Sequence, residues 1–200
     1  MERRNPLQFL QAEVSRLRDE NRDLKAELAV LRSSVRALSA LQDILQRLTP
    51  DADVMKLLDD VLVSALTVVA AEGGSLLLTD DDTGELVFAV VHGAARQRLT
   101  GFRLPKGVGI AGWVAGTRQA QVVRDVHKDP HFSPEVDETF SFHTRSLACV
   151  PLVEGDRVLG VIEALNKASG AEFTEQDLDL LRVVAQLASV AIVRAEAYSE

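Results

Sequence analysis

The chain has 200 residues, 46% of them hydrophobic, and a formal net charge of −8 from 22 basic and 30 acidic side chains. This length and composition fit one sizeable hydrophobic core with an appendage. No dense run of Lys and Arg occurs, so the charge disfavours direct binding to nucleic acid. The most apolar stretch, residues 61–71, is about half of a bilayer span, and the first residues lack the apolar region of a signal peptide. We therefore expect a soluble cytoplasmic protein that does not contact membranes.

The N-terminal stretch carries a strict seven-residue hydrophobic repeat that begins at Leu7. Six successive d positions are leucine, namely Leu10, Leu17, Leu24, Leu31, Leu38 and Leu45. An amphipathic helix packed on its own domain would follow a period of about 3.6 and drift off this repeat. The repeat predicts a coiled coil over residues 1–48.

The charges beside this repeat predict how two such helices pair. The g positions carry Glu13, Glu20 and Glu27, and the matching e positions of the next heptad carry Arg18, Lys25 and Arg32. In a parallel two-stranded coil these positions face each other, so all three pairs are complementary. Asn21 at an a position is a common device that fixes parallel register. The pattern predicts a parallel homodimer with a rod on the order of 60 Å long.

The globular part begins with a helix and a hairpin. Thr49 and Pro50 supply a cap and a first-turn proline, which predicts a helix to about Ala71. The β-rich runs 75–79 and 85–92 flank a turn-rich segment, which predicts an antiparallel hairpin.

The rest of the chain continues with mixed elements and ends on a helix. A glycine-rich segment at 106–116 precedes a short strand at 121–126 and a polar stretch at 127–143. Two β-rich runs within 146–166 predict a second hairpin, and Thr174 caps a final helix. This order indicates an α+β fold for residues 51–200.

The glycine-rich segment contains the spacing G-x-G-x-x-G at Gly107, Gly109 and Gly112. A dinucleotide-binding loop needs a buried strand before these glycines and a full helix after them. Pro105 interrupts the preceding strand, and Gly116 leaves room for little more than one turn of helix. The sequence therefore disfavours an NAD-binding site.

Several separated blocks resemble the GAF domain, the sensory fold of cyclic-nucleotide phosphodiesterases, adenylyl cyclases and many bacterial regulators. In chain order they are LPKGVGIAGWVAGTRQAQVVRDVHKDPHF, TRSLACVPL and LGVIEALNK. The resemblance implies an antiparallel sheet of about six strands, with terminal helices on one face and a small-molecule pocket on the other. It also implies that the first and last helices of the domain often form a dimer interface, which agrees with the predicted coiled coil.

A signature of cyclic-nucleotide-binding members is present in part. Asn166, Lys167, Phe173 and Asp177 match it, but Leu178 replaces its final acid. The resemblance implies that these residues support the fold around the pocket rather than touch the ligand. A cyclic nucleotide is one candidate ligand, and no other cofactor is expected.

The resemblance also places the pocket residues. They are Ser75, Ile110, Ala111, Asp137, Thr144 and Glu163. Their hydroxyl, backbone N–H, aliphatic and carboxylate groups suit a purine. His92, Ser133 and Phe140 stand where those relatives tend to have an acid, an aromatic and a hydroxyl, which weakens the match.

Other chemistry is less well supported. His127 and His131 have the spacing of a helical metal pair, but Pro130 prevents a regular helix there, so we expect no metal site. His143 lies near the position of a haem-ligating histidine in some bacterial GAF sensors, yet the aromatic surround of a haem pocket is missing. Trp113 is expected in the core or the pocket wall.

The single cysteine, Cys149, is expected to be a buried strand residue rather than a nucleophile. Free-methionine-sulfoxide reductases share the GAF fold, but their chemistry needs more than one cysteine. We therefore predict a non-enzymatic homodimeric sensor that binds a small ligand and passes the change to a separate effector protein. The alternative is a scaffold whose pocket is filled by its own side chains and which acts through protein contacts.

Overall fold

The computed structural model describes residues 6–46, 53–93, 96–140 and 142–199. The chain divides into two compact units, and the division falls after Arg36. It lies within the first helix, α1, which spans Pro6–Gln46.

The backbone of α1 is helical over most of the segment predicted to form a coiled coil. Leu10, Leu17 and Leu24, three of the d-position leucines, are 59%, 50% and 63% exposed. Arg16 pairs with Glu13 and Glu20 of its own helix, at 2.5 and 2.8 Å. A row of exposed leucines on a long helix agrees with the predicted partner helix, but the pairing itself stays a prediction.

The remaining helices and strands follow in chain order. They are α2 Val54–Val69, β1 Ala71–Thr79, β2 Leu86–His92, α3 Arg96–Leu99, β3 Arg103–Leu104, α4 Gly109–Thr117, β4 Gln121–Val123, α5 Glu135–Phe140, β5 Leu147–Glu154, β6 Arg157–Lys167 and α6 Glu175–Ser199. A short 3₁₀ turn at Val126–Lys128 lies between β4 and α5.

The start of α2 differs from the prediction. Its N-cap is Asp53, whose side chain accepts a hydrogen bond of 3.1 Å from the backbone N–H of Lys56. The predicted cap at Thr49 and first-turn Pro50 lie outside the described residues. The helix ends at Val69, and its C-cap, Ala70, takes a left-handed conformation and leads into β1.

The six strands form one antiparallel sheet in the order β3-β2-β1-β6-β5-β4. β1 and β6 lie side by side at its centre, where Ser75 pairs with Glu163 and Leu76 with Ile162. Successive residues of a strand point to opposite faces, so these two pairs serve the two sides of the sheet. The predicted α+β fold with a six-stranded antiparallel sheet is confirmed.

Each face of the sheet carries its own hydrophobic cluster. On one face, α2 and α6 pack over Leu76, Val150 and Ile162. On the other face, α3, α4 and α5 cover Leu77 and Phe88 together with neighbouring strand residues. This second face holds the candidate site.

Candidate functional site

A cavity of about 80 Å³ lies on the sheet face opposite α2 and α6. Strands β1, β2 and β6 form its floor, and residues of α3, α4 and α5 form its walls. Most of its surface is apolar. A concave apolar space with a few polar groups is the usual form of a small-molecule site.

The structure brings all nine pocket residues predicted from the sequence to this one cavity. They are Ser75, His92, Ile110, Ala111, Ser133, Asp137, Phe140, Thr144 and Glu163. Contact of any of them with a ligand stays a prediction. Three further residues line the cavity and were not predicted from the sequence, namely Leu99, Phe132 and Phe142. The two phenylalanines lie within the predicted polar stretch 127–143, and only their apolar character in a polar segment could have indicated them.

Ser75 and Glu163 form the polar centre of the floor. The Ser75 hydroxyl donates a hydrogen bond of 3.0 Å to Oε2 of Glu163, across the β1–β6 ladder. Glu163 is only 9% exposed. Burial raises the pKa of its carboxyl to about 7, the Ser75 bond opposes this rise, and the nearby Asp137 carboxylate adds to it. Glu163 can therefore change its protonation state near neutral pH.

Asp137 joins α5 to the segment that follows it. Its two carboxylate oxygens accept hydrogen bonds from the backbone N–H and the hydroxyl of Thr144, at 2.7 and 2.8 Å. Arg98 donates a bond of 2.7 Å to the backbone carbonyl of Phe140, at the end of α5. These bonds hold α5 over the cavity, together with the packing of Val136 and Phe140 against the apolar cluster of this face.

The glycine motif forms the beginning of α4. Gly109 has a φ of 72°, and a Cβ on Gly112 would lie 2.6 Å from the carbonyl carbon of Gly107. Glycine at these positions therefore allows a tight approach turn against the helix. The preceding β3 is a two-residue edge strand, which agrees with the rejection of a dinucleotide loop. The helix itself, Gly109–Thr117, is longer than the single turn expected.

His92 borders the cavity but is tied to the helical side of the domain. Its Nε2 lies 2.9 Å from Oδ1 of Asp59, on α2. The last residue of β2 thus contacts both the cavity rim and the opposite layer. A movement of His92 at the cavity rim would therefore act directly on α2 through Asp59.

The family signature residues lie beside the site and are absent from the described residues that line it. The Asn166 side chain accepts a bond of 2.8 Å from the N–H of Arg145 and donates one of 2.9 Å to the carbonyl of His143. Lys167 contacts Asp177 at 2.6 Å and lies 5.9 Å from the ring centre of the buried Phe173. These contacts fix the loop before β5 and the start of α6.

The remaining candidates take structural positions. Cys149 is fully buried in β5, and burial raises the pKa of its thiol well above the usual range, which makes it a poor nucleophile. Trp113 packs against His131, with ring centres 5.0 Å apart, and does not line the cavity.

Within the part of the chain that is described, no group of three or more His, Cys, Asp and Glu side chains is arranged to hold a metal. None of the described helices has the length and apolar character needed to span a bilayer.

Comparison with known proteins identifies the family. The family model described as "GAF domain" matches residues 53–192, which is more than half of the chain. This chain belongs to the GAF domain family.

Two curated relatives are phosphodiesterases. The chain is 41% identical over 88 residues to the cone cGMP-specific 3',5'-cyclic phosphodiesterase subunit alpha' of Mus musculus, a match that covers 44% of the chain and 10% of that protein. It is 28% identical over 167 residues to the dual 3',5'-cyclic-AMP and -GMP phosphodiesterase 11A of Takifugu rubripes, covering 78% of the chain and 18% of that protein. The chain thus spans less than a fifth of either relative.

A solved structure shares the fold. The GAF domain of a phosphoenolpyruvate-protein phosphotransferase from Coxiella burnetii superimposes with a TM-score of 0.70 at 22% identity. The match covers 83% of this chain and 98% of that one. The likeness supports the sheet topology and the helix layers described above.

Proposed function

We propose that this chain is a non-enzymatic sensor module that binds a small organic ligand in the cavity between the sheet and α5. In this proposal it works as a homodimer, and a separate effector protein responds to the ligand. The observation that supports it best is the combination of a largely apolar cavity with buried polar groups on its floor, Ser75 and Glu163. The apolar walls would hold the body of a ligand, and the polar groups would orient it.

The sheet offers a physical route from the cavity to the helical layer. Ser75 and Glu163 face the cavity as a cross-strand pair, and the next pair, Leu76 and Ile162, packs under α2 and α6. A ligand that shifts the first pair must also shift the second, because both pairs belong to the same two strands. The ligand would then favour one packing of α2 and α6 over another.

The names of the relatives make cyclic GMP and cyclic AMP the first compounds to test. The free cavity of about 80 Å³ is smaller than the roughly 150 Å³ of an apolar cavity that holds benzene. We therefore expect a ligand with a ring to move α5 and its flanking segment outward. The hydrogen bonds of Asp137 and Arg98 are the contacts that would rearrange.

Titration calorimetry against cyclic nucleotides and a panel of metabolites tests the proposal. Ala111 lines the cavity, and the variant Ala111→Leu should abolish the heat of binding of any ligand that occupies it. Replacement of Ala115 by leucine is the control, because Ala115 is a half-buried residue of the same helix that does not line the cavity. If the Ala111→Leu variant bound the ligand as tightly as the Ala115→Leu variant and the wild type do, the cavity would not be the binding site.

The small volume of the cavity favours a second candidate function, a scaffold that needs no ligand. In that case a folded wild-type chain gives no heat with any compound and carries no copurified ligand by mass spectrometry. Its partners would still bind, and the Ala111→Leu variant would bind them as well as the wild type does.

A further inference from the structure

The wall of the cavity carries an uneven distribution of charge. Two carboxylic acids, Glu163 and Asp137, line it, whereas no lysine or arginine occurs among the described residues that do so. The other polar residues at the wall are Ser75, His92, Ser133 and Thr144. An anionic ligand would find no cationic side chain of Lys or Arg here.

Glu163 is the acid whose hydrogen bonding is least complete. It is more than nine-tenths buried, and the Ser75 hydroxyl contacts its Oε2 atom. Among the described residues no donor contacts Oε1. A buried carboxylate that lacks a cation or a full set of donors is unfavourable, and a ligand that brings a charged N–H group relieves this cost.

Asp137 strengthens the negative potential without competing for the same donor. Each of its oxygens already accepts a bond from Thr144, which leaves it less available than Glu163 to an N–H group of the ligand. Its carboxylate is close enough to influence the ionisation of Glu163. The two groups therefore define one acidic side of the cavity.

The beginning of α4 is the opposing feature, because Gly109, Ile110 and Ala111 also line the cavity. Val108 caps this helix without a side-chain hydrogen bond, so the N–H groups of the first turn can donate hydrogen bonds to a ligand. A helix N-terminus carries the equivalent of about half a positive charge. This is smaller than the negative charge that two ionised carboxyl groups would carry. The helix N-terminus suits a polar oxygen of the ligand, whereas the acidic side suits its nitrogen.

We infer that the cavity selects a small organic cation, in which a protonated amidine, guanidine or amine is attached to an apolar body and donates an N–H group to Glu163. This inference rests on the proposed function, since it names the chemical class of the ligand for the same cavity. It differs from a preference for cyclic nucleotides, whose phosphate is anionic.

Three probes of nearly the same shape test the charge preference, namely benzamidinium, benzamide and benzoate. We expect benzamidinium to bind the full chain at least about tenfold more tightly than benzamide, with benzoate weakest, in calorimetric or NMR titrations at about pH 8. Acetamidinium and acetate form a smaller pair that needs less movement of α5. Binding should shift the backbone NMR signals of Ser75 and Thr144.

Two variants separate the cavity from the acidic surface of the protein. In Glu163→Gln, which keeps an acceptor for Ser75, the preference for benzamidinium over benzamide should fall to within about threefold. Glu138→Gln removes an exposed acid one residue from Asp137 and should behave like the wild type. Equal losses in both variants would show adventitious surface binding and overturn the inference.

The remaining outcomes distinguish this inference from the proposed function. If benzamide or benzoate binds in the cavity as tightly as benzamidinium, the charge preference is wrong while the cavity remains a ligand site. If none of the five probes binds, and cyclic GMP, cyclic AMP and the metabolite panel give no heat, both the inference and the proposed function fail.

Discussion

Lys167 and Asp177 form an ion pair of 2.6 Å between the end of β6 and the first turn of α6. The two side chains are only 19% and 11% exposed. Oδ2 of Asp177 also accepts hydrogen bonds from the N–H and the hydroxyl of Thr174, the residue before α6. One carboxylate thus caps the helix and fixes it to the sheet.

The variant Lys167→Met should test this structural role. It leaves the largely buried Asp177 without its cation, and we expect the free energy of unfolding to fall by about 1–3 kcal/mol, measured by urea denaturation. The affinity for a cavity ligand should change little, because Lys167 does not line the cavity. Arg182→Met, which removes an exposed pair with Asp179, is the control and should cost less than about 1 kcal/mol. A selective loss of ligand affinity in Lys167→Met would contradict the structural role.

The local pattern of the sequence was sufficient to predict much of the fold. The β-rich runs that form β1, β2, β5 and β6, with the turn residues between them, predicted both hairpins, and the cap at Thr174 predicted α6. The start of α2 was not predicted, because the capping signal at Asp53 follows stronger signals at Thr49 and Pro50. Short sequence motifs cannot rank such competing caps. The division into 1–48 and 51–200 stays a prediction.

The candidate site was predicted only through the family resemblance. Ser75 and Glu163 are 88 residues apart, and no periodicity in the sequence indicates that β1 and β6 pair. The link from His92 to Asp59 was missed for the same reason, since strand pairing and helix packing determine it. The raised pKa of Glu163 depends on its burial, which only the folded structure shows.

The pH dependence of stability should depend in part on Glu163. Burial raises the pKa of its carboxyl from 4.5 to about 7 in the folded chain, so the folded state holds this proton more tightly than the unfolded state does. The resulting stabilisation is complete below the unfolded value and is lost as the pH rises through about 7. Between about pH 5.5 and about pH 8, the wild type should lose about 2 kcal/mol of unfolding free energy relative to Glu163→Gln.

Urea denaturation of both proteins at several pH values measures this difference, with Glu138→Gln as the control for a lost surface charge. A difference between wild type and Glu163→Gln that stays constant across the pH range would mean that the carboxyl titrates normally in the folded chain.

Removal of the Asp137 carboxylate should loosen α5. The variant Asp137→Ala loses both bonds to Thr144, and we expect faster amide hydrogen exchange across residues 127–143 by at least about tenfold. Global stability should fall by only about 1–2 kcal/mol, because α5 contributes few residues to the core. Glu138→Ala on the exposed side of α5 should leave the exchange rates near those of the wild type. Unchanged exchange in Asp137→Ala would mean that apolar packing alone keeps the segment closed.

The exposed leucines of α1 should hold two chains together. The double variant Leu17→Lys, Leu24→Lys places charges in the predicted apolar interface of the coiled coil. We expect the dissociation constant of the dimer to rise by at least about a hundredfold, measured by analytical ultracentrifugation. Lysine at Ser15 and Asp23, which lie outside the a and d positions, changes the charge on the same stretch and should leave the dimer intact. If the Leu17 and Leu24 variant stays dimeric while its α1 remains helical by circular dichroism, then contacts outside α1 hold the pair. The complementary Glu and Arg positions would in that case serve only as intrahelical pairs like those of Arg16.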